Sequence, residues 1–210
     1  MTRLFLIFLA TFLISVPFHI LALEREKLRK RFENAQARTI GNVIGIISGW
    51  LLFVSWAGIW FAPQPDFALS NLVFLLITVP VVGLQLSLTH LVVGLPFLIL
   101  GTYFGLKAVS KLSVTVSQTQ LPSQFVSEGI YSRCRHPQYL GGLLAHIGLT
   151  LIMSSLYSLL ATPLVFIAIY VMSYAEEKQL VSMFESRYEE YRKKVPMFMP
   201  QITREASESE

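Results

Sequence analysis

Apolar residues run almost unbroken over 4–23, 39–62, 67–108 and 140–174, and polar residues gather between these runs. One helix needs about twenty apolar residues to cross a bilayer core. The first two runs therefore each predict one membrane helix, and a cleaved leader headed by Arg3 is the competing reading of the first. The third run, about forty residues interrupted by Pro80, Gln85, His90 and Pro96, predicts two crossings. The fourth is too long for one crossing, and the serines at 154–158 mark the turn of a helical hairpin. The expectation is an all-α, polytopic membrane helix bundle of about five or six spans.

A different pattern follows. Over 176–194, Leu180, Phe184, Tyr188 and Tyr191, continued by Val195, fall on one helical stripe with charges opposite, and Pro196 ends it. This predicts an amphipathic C-terminal helix lying over the polar end of the bundle. Residues 110–138 are polar, with short alternation around Val114 and Val116, and read as an ordered loop or cap. The acidic, serine-containing stretch 201–210 reads as a disordered tail. The chain divides accordingly into N-terminal membrane helices over 1–108 and a chemistry-bearing region over 109–200 that includes the hairpin 140–174.

Composition agrees. Hydrophobic residues make up 53% of the 210 and charged residues 14%, against roughly 25% charged in a soluble domain. The net charge of +4 comes from basic residues in loops between apolar runs. It points to membrane lipids rather than nucleic acid as the charged partner. Segments 24–38 and 107–139 both carry basic residues and both prefer the cytoplasm, which requires an even number of crossings between them. The apolar runs predict three. Cys134 stands alone, which excludes an internal disulfide and any cysteine cluster for a metal. Gly41, Gly45 and Gly49 let a neighbouring helix approach closely, within the chain or in an oligomer. His90 and His146 read first as packing or boundary residues.

Candidate chemistry centres on Arg135-His136-Pro137-Gln138-Tyr139. Proline keeps the preceding residue out of helical geometry and suits a first helical turn. His136 then lies just outside a helix start, whose free N–H groups attract an anion such as a carboxylate. Gly141 and Gly142 allow close approach, and Tyr131 and Tyr139 add rings and hydroxyls at the same level. The hairpin returns the chain to the side it left, so Glu176 and Glu177 arrive at the depth of His136. Together these groups form a pocket for a zwitterionic or cationic cofactor.

The ordered set Gly129-Ile130-Tyr131, Arg135-His136-Pro137-Gln138-Tyr139-Leu140-Gly141, Glu176-Glu177, Phe184, Tyr188, Tyr191 and Val195-Pro196 resembles the isoprenylcysteine carboxyl methyltransferase and phospholipid methyltransferase superfamily. The resemblance covers about residues 122–200. It implies an integral membrane methyltransferase that uses S-adenosylmethionine. The site would face the cytoplasm, and a lipidic or small hydrophobic acceptor would enter from the bilayer. It implies cofactor contacts at Tyr131, His136, Pro137, Gln138, Tyr139 and Glu176, with backbone contacts from Gln124, Phe125 and Val126. Arg135 and Glu177 are the catalytic candidates. No metal is implied. The chain departs from the family pattern at 171–175, which lacks a basic residue, at Glu185 where a glycine is usual, and at Met197 where a basic residue is usual. A membrane sterol-type reductase using a nicotinamide cofactor and a non-catalytic member of the fold are the alternatives.

Overall fold

The computed structural model describes residues 1–69, 76–79, 84–112 and 125–200. Its elements are α1 (Arg3–Leu23), the short α2 (Arg25–Arg29), α3 (Asn34–Phe61), strands β1 (Leu76–Val79) and β2 (Leu84–Ser87), and α4 (Leu88–Lys111). A 3-10 turn (Gly129–Ser132), α5 (Pro137–Ile152) and α6 (Leu156–Lys194) follow. Four helices, α1, α3, α4 and α6, are long and apolar enough to cross a membrane. The 16-residue α5 runs back along α4. The architecture is the expected all-α membrane bundle, apart from one small hairpin.

That hairpin corrects the reading of 67–108 as two crossings. β1 and β2 pair antiparallel, with Ile77 opposite Leu86, and among the described residues of 67–108 only α4 is long and apolar enough to cross. The described spans between the basic segments 24–38 and 107–139 are then α3 and α4, an even number. The described basic residues of 24–38, 107–112 and 125–139 lie at one end of the bundle. Opposite contacts define the other end: the Thr2 hydroxyl donates to the Pro63 carbonyl at 2.7 Å, and the Phe67 and Leu156 amides donate to Ser154 and Pro65 carbonyls.

Helix ends at that second end are closed by side chains, as buried backbone groups require. Gln64 donates to the Ile59 carbonyl at 2.9 Å and accepts from the Ser158 amide at 3.0 Å, serving the end of α3 and the start of α6 together. His90 Nε2 accepts from the Leu69 amide, and Nδ1 bonds the Leu151 carbonyl at 2.8 Å. His90 is thus a boundary residue, as its position suggested.

Two kinds of packing hold the bundle. Phe5, Phe12 and Val16 of α1, Leu52 and Ile59 of α3, and Val165, Ile169 and Met172 of α6 form one apolar core. Helices α4 and α5 instead meet backbone to backbone. A Cβ on Gly101 would lie 2.7 Å from the Gly141 carbonyl, and one on Gly148 would lie 2.9 Å from the Gly94 carbonyl. Only glycine permits this approach. Helices α3 and α4 make no comparable contact, and a cavity lies between them.

Helix α6 does not break near Ala175 as the two-part reading of 140–174 and 176–194 implied. It continues to Lys194 with a kink at Glu185, whose φ of 48° and ψ of −128° favour glycine. The stripe beyond the kink packs as expected: Tyr188, Tyr191 and Val195 are buried against Phe125, Leu180, Val181 and Phe184.

Candidate functional site

Pro137 occupies the first turn of α5, and His136 caps it with an extended φ of −123°. The segment ahead is tied down by the C-terminal strand of chain, because the Arg135 and His136 amides donate to the Pro196 and Met197 carbonyls at 3.0 and 3.1 Å. Arg135 extends this clamp. Its Nε donates to Glu177 Oε1 at 2.7 Å, and its Nη1 donates to the carbonyls of Arg192 and Val195. Cys134 sits underneath, fully buried, its thiol donating to the Met197 carbonyl at 3.2 Å. Burial pushes that thiol up to about 11, so it is held as a packed, neutral group.

Glu176 and Glu177 lie beyond the apolar part of α6 and point different ways, since adjacent helical residues diverge by about 100°. Glu177 turns into the clamp, 3.1 Å from His136 Nε2 and 2.7 Å from Arg135. Burial alone would raise its pKa; hydrogen bonds from His136 and Arg135 outweigh that and hold it below the usual carboxylate range. Glu176 turns into the cavity, with Oε2 3.6 Å from His136 Nδ1 and its side chain 23% exposed. Burial, opposed by His136 and reinforced by Glu177, raises its pKa, and a Tyr139 hydrogen bond pulls the other way. Such a carboxylate is short of a cation.

The cavity has a volume of about 600 Å³, within the usual range for small-molecule sites. Its polar end is formed by Tyr131, His136, Gln138, Tyr139 and Glu176, and its apolar end by Phe12, Trp50, Phe53, Trp56 and Trp60. Burial and the nearby Glu176 charge raise the Tyr131 phenol above its ordinary range. Its carbonyl accepts the Tyr191 hydroxyl at 2.6 Å, which fixes the C-terminal helix to the loop.

Among the residues singled out from sequence, Tyr131, His136, Gln138, Tyr139 and Glu176 converge on the cavity. Pro137 shapes the helix start and is buried beside it. Arg135 and Glu177 stand behind the cavity wall. Phe125 meets Phe184 and Tyr188 edge to face and Tyr191 at a tilt, with the Arg187 guanidinium 5.8 Å from its ring centre, and neither it nor Val126 lines the cavity. Gln124 lies outside the described residues, as do 113–123 and the tail 201–210.

His146 is fully buried beside the wall. Its Nδ1 accepts the indole N–H of both Trp56 and Trp60, at 3.0 and 2.8 Å, and its Nε2 contacts the Thr162 hydroxyl at 3.2 Å. It positions the aromatic end. Sequence reasoning missed His19, Trp56 and Trp60 as cavity residues. The signals were present: an ionisable residue inside an apolar run is a functional hypothesis by default, and tryptophans four apart share a helix face.

Comparison with known proteins finds a resemblance over part of the chain. Residues 89–187 match the phospholipid methyltransferase family. The chain is 33% identical over 115 residues to a protein-S-isoprenylcysteine O-methyltransferase of Schizosaccharomyces pombe, covering 52% of this chain and 49% of that one. It is 29% identical over 156 residues to methanethiol S-methyltransferase 1 of Bradyrhizobium diazoefficiens, covering 71% of this chain and 50% of that one. The chain therefore spans about half the length of these curated relatives. No solved structure matches it. The resemblance read from residues 122–200 is borne out, and both relatives are methyltransferases.

Proposed function

We propose that the chain is an integral membrane methyltransferase that moves a methyl group from S-adenosylmethionine to a lipidic or small hydrophobic acceptor. The observation that carries this reading is Glu176. It is a carboxylate without a full cationic partner, opening into a cavity whose far end is aromatic and apolar. The residues present suit the cofactor. Glu176 would hold its ammonium, and the first-turn N–H groups of α5 would hold its carboxylate. Tyr131, Tyr139 and Gln138 offer rings and hydrogen-bonding groups for the rest, and the aromatic walls favour a cationic sulfur.

When bound, the cofactor supplies an already activated methyl group on a sulfonium. The protein's part is to align and to exclude water. His136 is fixed between the two acids. Arg135 and Glu177, proposed at first as catalytic, act in this reading as positioning residues that hold the His136 turn and the segment 192–198 over the cavity. Basic residues of 24–38, 107–112 and 125–139 share the site's end of the bundle, which supports a site facing the cytoplasm. The gap between α3 and α4 would admit an acceptor from the bilayer.

The test is transfer of labelled methyl from S-adenosylmethionine to lipid extracts and short hydrophobic thiols, amines and carboxylates, using the detergent-purified protein. The proposal expects a labelled product that disappears in Glu176→Gln. No label with any acceptor, together with no binding of the cofactor to the intact protein, would overturn it.

A further inference from the structure

His19 is the ionisable group in the cavity that the proposed cofactor site does not use. It sits on α1, inside an apolar run, 6% exposed, and it lines the cavity. Its Nδ1 lies 3.0 Å from Ser48 Oγ. The Ser48 hydroxyl donates to the Gly45 carbonyl at 3.2 Å. A hydroxyl has one proton to give; with that proton on the Gly45 carbonyl, Ser48 accepts from His19 Nδ1–H. In that arrangement Nε2 is a bare lone pair, with no hydrogen-bond partner among the described residues. A base oriented by a third group in this way is the ordinary arrangement for drawing a proton from a nucleophile.

The rest of the lining narrows the nucleophile. Among the described lining residues there is no Lys or Arg, so no permanent side-chain cation there meets an acceptor carboxylate. The other ionisable lining groups, Tyr131, His136, Tyr139 and Glu176, belong to the polar end. In water a thiol loses its proton near about 8.5 and an alkylammonium near about 10.4. Any one base therefore draws a thiol's proton roughly two pK units more easily than an ammonium's. Aromatic walls also suit sulfur.

Resting on the methyltransferase reading, we propose that His19, oriented by Ser48, is the proton acceptor for a neutral thiol substrate. The S–H proton passes to His19 Nε2, and the thiol sulfur's electron pair forms the new bond to the methyl carbon. The sulfonium C–S bond breaks with its pair returning to the donor sulfur. The products are a methyl thioether, the neutral thioether of the donor, and one proton on His19 that is released to water.

Two measurements test this. In 15N-histidine-labelled wild-type protein at neutral pH, the resonance missing from His19→Gln should show the Nδ1–H tautomer; an Nε2–H tautomer would overturn the proposal without reference to activity. Kinetically, His19→Gln should bind S-adenosylhomocysteine within about twofold of wild type by calorimetry. It should lose about 100-fold in turnover of 1-hexanethiol, and less than about tenfold with 4-nitrothiophenol, which is already ionised. Equal losses on both thiols, or a wild type that methylates hexylamine or hexanoate but not hexanethiol, would overturn it. Absence of cofactor binding by the wild type would instead sink the methyltransferase reading and this inference together; normal binding with equal losses sinks this inference alone.

Discussion

The α4–α5 seam and the clamp around Arg135 hold the same cavity by opposite means. The seam has no charge and almost no side chain: Gly94 and Gly101 of α4 lie against Gly148 and Gly141 of α5 at backbone contact. The clamp is nearly all polar, with Arg135, Glu177 and four backbone carbonyls joined across some sixty residues of sequence. In a membrane, apolar burial does little to bring helices together, so close packing must serve. At the polar end, directed hydrogen bonds can fix one particular arrangement of a loop. The seam thus fixes the wall, and the clamp fixes the lip where the chemistry is placed.

Breaking the clamp should have the largest effect. Arg135→Ala leaves Glu177 buried without its cation, and such losses cost about 3–5 kcal/mol. Thermal unfolding in detergent should show it, with faster proteolysis of 192–198. The clamp is also pH-dependent. Because the Glu177 pKa is depressed in the folded protein, its contribution is present above the unfolded carboxylate range and is lost as pH falls through the lower, folded value. Wild type should therefore lose stability on acidification, and Glu177→Gln should lose less.

Overpacking the seam comes next. Gly101→Ala places a methyl 2.5 Å from the Ala145 amide, and a cost of about 1–3 kcal/mol is expected from the same melts. Gly49→Ala is the control: a Cβ there meets nothing within 4 Å, so no loss is expected and the helix should gain about 0.5–1 kcal/mol. Near the clamp, Glu185→Gly should stabilise by about 1 kcal/mol, because it removes a positive-φ strain that only glycine tolerates. If Glu185→Gly destabilises, the kink is not strained.

Several parts of this comparison were legible from the chain alone. The stripe through Phe184, Tyr188, Tyr191 and Val195 predicted its own burial, because helical period specifies a face wherever the helix lies. The cluster Tyr131, His136, Gln138, Tyr139 and Glu176 was legible because Pro137 and the hairpin length fix where the chain starts and returns. The hairpin β1–β2 was not, since hydropathy counts apolar residues without distinguishing a crossing from short paired strands. Nor was the continuity of α6: the charges at 176 and 177 looked like a boundary, yet no Gly or Pro stands there to end a helix. The roles of Glu176 and Glu177 diverge only through helix rotation, and Phe125 left the site for an aromatic cluster that only the fold assembles. His19 meets Ser48 across 29 residues, a pairing no local pattern reveals.

Those adjacent acids offer the most direct measurement. S-adenosylmethionine would be titrated by calorimetry into wild type, Glu176→Gln and Glu177→Gln, with melting temperatures recorded alongside. The account predicts that Glu176→Gln weakens binding by about 10–100-fold, the loss of one charged hydrogen bond, with the melting temperature nearly unchanged, and that Glu177→Gln lowers the melting temperature. Unchanged binding in Glu176→Gln would contradict the assignment of the cavity's polar end to the cofactor.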